Sequence, residues 1–282
     1  MGGMESHEEA YEKARRNVDY VEISREAREE VVLKRFKIIG YDEDIPGLVA
    51  HHPAGPSGKL LLFLHGLGGS KQDVLYLESF VEKLGFSIMA VDARGHGERK
   101  LDLENIKPEL IIEYLSKTIV DNRLAIDIAF RNHWVEEGKL ILAGASMGGI
   151  LGGVVAGVDR RISGAALYVP GGDLVEIISE SSVPMLVELR SKIPPQLLSL
   201  IKPVLAQVDP INYIDKVSPR PLLIQLGKYD DIVPFKNGMR LFEKAREPKR
   251  LVLHESGHSI PFDKAIEETV NWLRESLPHL FA

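Results

Sequence analysis

The pentapeptide Gly144-Ala145-Ser146-Met147-Gly148, of the form G-x-S-x-G, sets a serine among small residues. It joins a short apolar run ending at Ala143 to the Gly-rich apolar stretch that starts at Gly149. The first reads as a strand and the second can continue as a helix, so the chain must turn sharply between them. Such a turn forces the serine into strained backbone geometry, and its neighbours must be small for helix and strand to pass closely. Gly144, Ala145, Gly148 and Gly149 meet that demand, and the serine hydroxyl would stand clear of the sheet. Small residues also produce this pattern by chance, and the plain alternative is a Gly-rich turn without chemistry. The elements around it have to decide.

Leu60 to Leu64 is a continuous apolar run, as expected of a strand buried on both faces of a parallel sheet. From there strands and helices alternate. Strands are predicted at Ser87 to Val91, Leu140 to Ala143, Gly164 to Val169, Pro221 to Leu226 and Arg250 to Leu253. Helices are predicted near Gln72 to Leu84, Pro108 to Trp134, Asn237 to Ala245 and Phe262 to Leu277. This predicts an α/β fold, a mostly parallel doubly wound sheet with helices on both faces. Upstream, Val31 to Ile39 and Leu48 to Ala50 read as an antiparallel pair. Tyr11, Ala14, Val18 and Val21 recur at three- and four-residue steps, so one or two amphipathic helices are expected in an N-terminal arm over residues 1–30. One segment breaks the alternation. Between Gly171 and Ser218, Pro184, Pro194, Pro195, Pro203 and Pro210 lie among many apolar residues, which limits the segment to short helices. The expectation is a helical cap over residues 171–218, inserted between core segments 31–170 and 219–282.

In such sheets reactive groups gather at the carboxyl ends of the strands. The strand ending at Leu226 is followed by the acidic turn Gly227-Lys-Tyr-Asp230-Asp231-Ile-Val-Pro234, and the next strand by His254-Glu-Ser-Gly-His258. The order is serine, acid, histidine. His65-Gly-Leu-Gly-Gly69 and Asp92-Ala-Arg-Gly-His-Gly97 follow two further strands. On these motifs the chain resembles the α/β-hydrolase superfamily, and in particular its serine esterases, from about Lys59 to Leu277. The resemblance implies a Ser146 nucleophile, a His258 base and an Asp230 that orients the imidazole. Asp230 is preferred because Asp230-Asp-Ile-Val-Pro234 matches the family's D-x-x-V-P turn; Asp231 and Asp173 are the competing acids. It also implies an oxyanion hole from the backbone amides of Leu67 and Met147. Structural roles are expected for His65, His96 and Asp92. Met185, Leu186, Leu189, Leu197 and Leu198 of the cap are the expected acyl contacts, with esters of short to medium chain length as substrates.

Two other classes compete. His254-Glu255-Ser256-Gly257-His258 spells H-E-x-x-H, the zinc-protease signature, which requires both histidines on one helical face. Here the motif follows a strand pattern, contains Gly257 and runs into Pro261, so a loop without metal is expected. A non-catalytic binding module of the same fold would be expected to lack a member of the trio, and all three are present. Within the superfamily the alternatives are a peptidase or amidase and a lactone hydrolase. The oligopeptidase relatives carry a propeller domain for which the N-terminal arm is too short. Neither cofactor nor metal is expected. Net charge is −6, from 35 Lys and Arg against 41 Asp and Glu, which argues against a nucleic-acid partner. The chain has no cysteine, which excludes disulfides and thiolate catalysis. The longest small-and-apolar run, Gly144 to Val158, is too short to cross a bilayer, so no membrane partner is expected. A cytoplasmic enzyme acting on a small ester is the expectation, with a homo-oligomeric state left open.

Overall fold

Strand β4 (Leu60–Leu64) turns Leu60, Leu62 and Leu64 to one face of a sheet and Leu61 to the other, and all four are buried. A strand apolar on both faces is stable only when both faces are covered, and the computed structural model, which describes residues 5–100, 108–192 and 202–281, covers them. On the first face, Leu60, Leu62, Leu140 and Leu142 join one core with helices α3 (Pro108–Arg131) and α4 (Met147–Val158). On the second, Leu61, Ile141, Ala166 and Leu223 join another with helix α2 (Glu78–Leu84) and the closing helix over Phe262–Ser276.

The other strands are β1 (Asp19–Ala27), β2 (Val32–Ile39), β3 (Ile45–His51), β5 (Ser87–Val91), β6 (Leu140–Ala145), β7 (Ile162–Tyr168), β8 (Leu222–Gly227) and β9 (Lys249–His254). Among the described residues they form one sheet in the order β1-β2-β3-β5-β4-β6-β7-β8-β9. β1, β2, β3 and β5 pair antiparallel, and every pairing from β5 through β4 to β9 is parallel. This is the mostly parallel sheet expected from the alternation, in the α/β-hydrolase arrangement that the motif resemblance implies. β6 lies in the middle of the parallel part, between β4 and β7, so the turn after it opens between the loops that follow those strands.

Helix α1 (His7–Ala14) begins with a Ser6 and Glu9 capping box and packs on α3, where the Tyr11 hydroxyl donates to Asp127 at 3.0 Å. The remainder of the N-terminal segment departs from the expected helices. Asp19–Ala27 is the edge strand β1, with Val21 and Ile23 largely exposed. The three- and four-residue spacing that suggested a longer helix spans two elements: Tyr11 and Ala14 lie in α1, Val18 follows it, and Val21 is in the strand. The open backbone groups of β2 supplied the competing partner, since an unpaired edge favours pairing. The segment after β7 holds the short helices α5 (Leu174–Glu180), α6 (Pro184–Lys192) and α7 (Lys202–Leu205). Two further helices, α8 (Phe235–Lys244) and α9 (Phe262–Ser276), follow β8 and β9. Among the described residues no helix is long and apolar enough to cross a membrane.

Candidate active site

Ser146 occupies the turn between β6 and α4 with φ 56° and ψ −119°. A non-glycine residue held there costs about 1–3 kcal/mol and persists only where its surroundings over-determine it. They do so here: the Ser146 amide donates to Tyr168 O on β7, and Ser146 O accepts from the Ile150 amide, both at 2.9 Å. The flanking glycines let α4 close on the sheet. A Cβ at Gly144 would lie 2.3 Å from Gly148 O, and one at Gly148 only 2.0 Å from Leu64 O.

Two loops bring the partners in. After β8 the backbone runs through Gly227 to Asp230, and after β9 through His254 to His258. The loops are laced by Lys228 N to His254 O at 3.0 Å and Tyr229 N to Ser256 O at 2.9 Å. Asp230 is 8% exposed; its Oδ1 accepts from the amides of Ile232 and Val233, each at 3.0 Å. Its Oδ2 accepts from His258 Nδ1 at 2.8 Å. A carboxylate cannot donate, so the proton sits on Nδ1 and the Nε2 lone pair is free to accept from Ser146 Oγ, which lies 2.8 Å away. A neutral imidazole aimed at a serine hydroxyl and backed by a carboxylate can draw off the hydroxyl proton and hold the resulting charge.

The competing acids lie elsewhere. The Asp231 side chain is exposed, and its carbonyl accepts from the Ser182 amide at 2.9 Å. Asp173 caps α5 and pairs with Arg240 at 2.9 Å. The H-E-x-x-H stretch is not helical, which removes the zinc-protease geometry. His254 ends β9 and bonds the buried Gln225 at 2.8 Å, while Glu255 turns outward to Lys228 and Tyr229. Among the described residues no group of three or more His, Cys, Asp or Glu side chains is arranged to hold a metal ion.

The nearby histidines and Asp92 brace loops. His65, buried on the loop after β4, accepts from the Ala93 amide at Nε2 (3.0 Å) and donates from Nδ1 to Gly66 O (2.9 Å). His96 donates from Nδ1 to Arg94 O. Asp92 accepts from the Lys71 amide, the Lys71 ammonium and the Glu98 amide at 2.6–2.9 Å. Burial holds the His65 ring below the usual histidine range, as it does His7, His51 and His254. The fold therefore favours neutral rings, whereas the unfolded chain protonates near the ordinary value of about 6.5. Stability from these groups is present above that pH and is lost as pH falls below it. Asp42 behaves differently. Its main unfavourable influence is burial, yet bonds from Arg94 and Lys117 hold it down to about 2, so its contribution persists until strongly acid pH. Melting temperature should fall between pH 6.5 and 5, then again below pH 4. A flat profile from pH 8 to 5 would contradict the histidine assignment.

Two cavities meet at Ser146 and His258. One, of about 760 Å³, runs between α3, the first turns of α4 and the segment after β7, and is lined by Ile112, Leu115, Met147, Ile150, Ile177 and Val183 among others. Of the expected acyl contacts, Met185 and Leu186 line it. The side chain of Leu189 and the whole of Leu197 and Leu198 lie outside the described residues. The other cavity, of about 430 Å³, opens on the opposite face of the sheet. Phe63, Tyr76, Phe80, Tyr168 and Phe262 contribute to its wall, with Leu67 shared between the two. Nothing in the sequence pattern marks this second space: its wall residues read as ordinary strand and helix positions. α3's share in the first cavity is equally silent, since Ile112 and Leu115 carry the same stripe that would pack a core.

The sheet order, the strained strand-to-helix turn and the chain order Ser146, Asp230, His258 define a serine hydrolase of the α/β-hydrolase superfamily. More narrowly, the chain belongs to the prolyl oligopeptidase family, whose model matches residues 75–277. Among curated relatives, it is similar to the uncharacterized protein YfhR of Escherichia coli O157:H7, 25% identical over 232 residues, covering 80% of this chain and 73% of that one. It is similar also to the esterase YjfP of Escherichia coli strain K12, 25% identical over 211 residues, covering 73% and 83%. Among solved structures, the acetyl xylan esterase from Paenibacillus sp. R4 superposes with a TM-score of 0.81 at 19% identity, covering 96% of this chain and 93% of that one. At that identity the likeness speaks for the fold.

Proposed function

We propose that this chain is a carboxylic-ester hydrolase that works through an acyl-enzyme on Ser146. The observation that carries the reading is the His258 ring, bonded at 2.8 Å on one side to Ser146 Oγ and on the other to Asp230 Oδ2. His258 takes the hydroxyl proton as Oγ attacks the ester carbonyl, then delivers it to the leaving alcohol; water repeats the sequence on the acyl-enzyme. Asp230 orients the ring and steadies its charge. The amides of Leu67 and Met147 receive the oxyanion. Met147 is the first residue of α4, so its N–H has no acceptor within that helix. A Cβ on Gly66, next to Leu67, would lie 3.4 Å from Ser146 Cβ, so that loop runs close beside the serine. The esterase named among the relatives supports an ester rather than an amide. The family match favours one second reading, a peptidase or amidase using the same three residues.

The segment over residues 171–218, through its described residues 171–192 and 202–218, acts as a cap over the larger cavity, which receives the acyl chain, of short to medium length. Support comes from Leu174, Ile177, Val183, Met185 and Leu186, which line that cavity together with Ser146. A series of p-nitrophenyl esters from acetate to palmitate, run beside an aminoacyl anilide, tests both statements. Esters should turn over far faster than the anilide, and a faster anilide would favour the peptidase. Met185→Trp and Leu186→Trp should shift the preference toward shorter acyl chains by severalfold with little change in melting temperature. An unchanged chain-length profile would remove the acyl role of the cap.

A further inference from the structure

The smaller cavity has one feature that an apolar pocket does not need. Asp73 lines it, beside Phe63, Tyr76, Phe80, Tyr168 and Phe262. Asp73 stands in the first turn of the 3₁₀ helix Lys71–Leu77. Among the described residues no lysine or arginine pairs with it: Lys71 is taken by Asp92 and Glu98 at 2.6 and 2.8 Å. Burial raises the pKa of its carboxyl, and the strongest opposing influence is the His65 ring, which burial in turn keeps below the usual histidine range. Asp73 is half-buried and its carboxylate takes a backbone hydrogen bond at Ser70, but at the wall of a space where five aromatic side chains stand among aliphatic ones it lacks compensation by a positive charge. An ammonium group supplies it twice over, by charge and by contact with ring faces.

We propose that the smaller cavity binds a positively charged ammonium group on the alcohol side of the ester, with Asp73 as its counter-charge. The proposal rests on the ester-hydrolase reading above. The side of the ester follows from the walls. Ile260 and Phe262, two and four residues after His258 in the chain, line the smaller cavity, and His258 is the group that returns a proton to the leaving alcohol. Met147 and Ile150 of α4, with the segment after β7, line the larger one, which leaves that space to the acyl chain. The substrate class is then an ester of an amino alcohol with an apolar acid.

Choline butanoate and its neutral carbon isostere, 3,3-dimethylbutyl butanoate, differ in charge at nearly constant shape. The wild-type chain should prefer the choline ester by about tenfold or more in kcat/KM, and Asp73→Asn should bring that ratio close to one. The ratio is the readout, because a general loss of activity moves both esters together. Calorimetric titration of the wild-type chain with choline and with 3,3-dimethylbutan-1-ol needs neither turnover nor a variant, and choline should bind about tenfold tighter. Equal rates with equal affinities would overturn the proposal, as would a preference that survives in Asp73→Asn. If neither ester is hydrolysed, the ester-hydrolase reading fails by itself, and the titration still decides whether the cavity selects a cation.

Discussion

Ser146→Ala should fold as the parent does and lose ester turnover by roughly 10⁴- to 10⁶-fold, because nucleophile and base act as a unit. Among the described residues the side chain makes one hydrogen bond, to His258 Nε2. The backbone bonds that hold the turn, Ser146 N to Tyr168 O and Ile150 N to Ser146 O, are independent of the hydroxyl. Alanine keeps the Cβ, so the strain at φ 56° is unchanged, and the melting temperature should move by only a degree or two. A fluorophosphonate should label the wild-type chain at Ser146 and leave the variant unlabelled. Label on another residue, or a variant within tenfold of wild-type turnover, would remove Ser146 as the nucleophile.

Asp230→Asn should lower turnover by about 10⁴-fold, the size expected when the imidazole is forced into the wrong tautomer, whereas Asp231→Asn should change it by less than about twofold. The difference follows from how Asp230 is held. Its Oδ1 accepts two backbone amides, from Ile232 and Val233. In the asparagine variant the amide oxygen must keep that place, because an NH₂ group cannot accept. The NH₂ then faces His258 Nδ1, which has to become the acceptor. The ring proton moves to Nε2 and points at Ser146 Oγ, and the base is lost. Asp231 is exposed, and among the described residues it takes part only through its carbonyl. Equal and small losses in the two variants would return the role to Asp173, despite its pairing with Arg240.

The parallel half of the fold was legible because both faces of its strands are buried. Runs such as Leu60 to Leu64 and Leu222 to Leu226 leave little alternative once helices of amphipathic pattern separate them. The N-terminal segment was not legible to the same degree. A strand at the edge, with one exposed residue after another, carries almost no burial pattern of its own. Its pairing was decided by β2, a partner later in the chain.

The site divides along the same line. Local geometry is written in nearby residues, so the G-x-S-x-G turn and the loop character of His254 to His258 could be derived from the sequence: small residues permit one, and Gly257 and Pro261 impose the other. The order of serine, acid and histidine also belongs to the chain itself. Which acid meets the histidine was settled by the tertiary structure. Asp230 and Asp231 are neighbours of identical chemistry, and only the lacing of the β8 and β9 loops turns one inward and the other to solvent. The two cavities are likewise beyond a linear reading. A cavity is space left between elements far apart in the chain, and its walls, such as Phe63 with Phe262 or Ile112 with Val183, have the same apolar character as a packed core. Composition determined that these residues avoid water; only the packing of the helices around β6 decided which of them stand open beside Ser146.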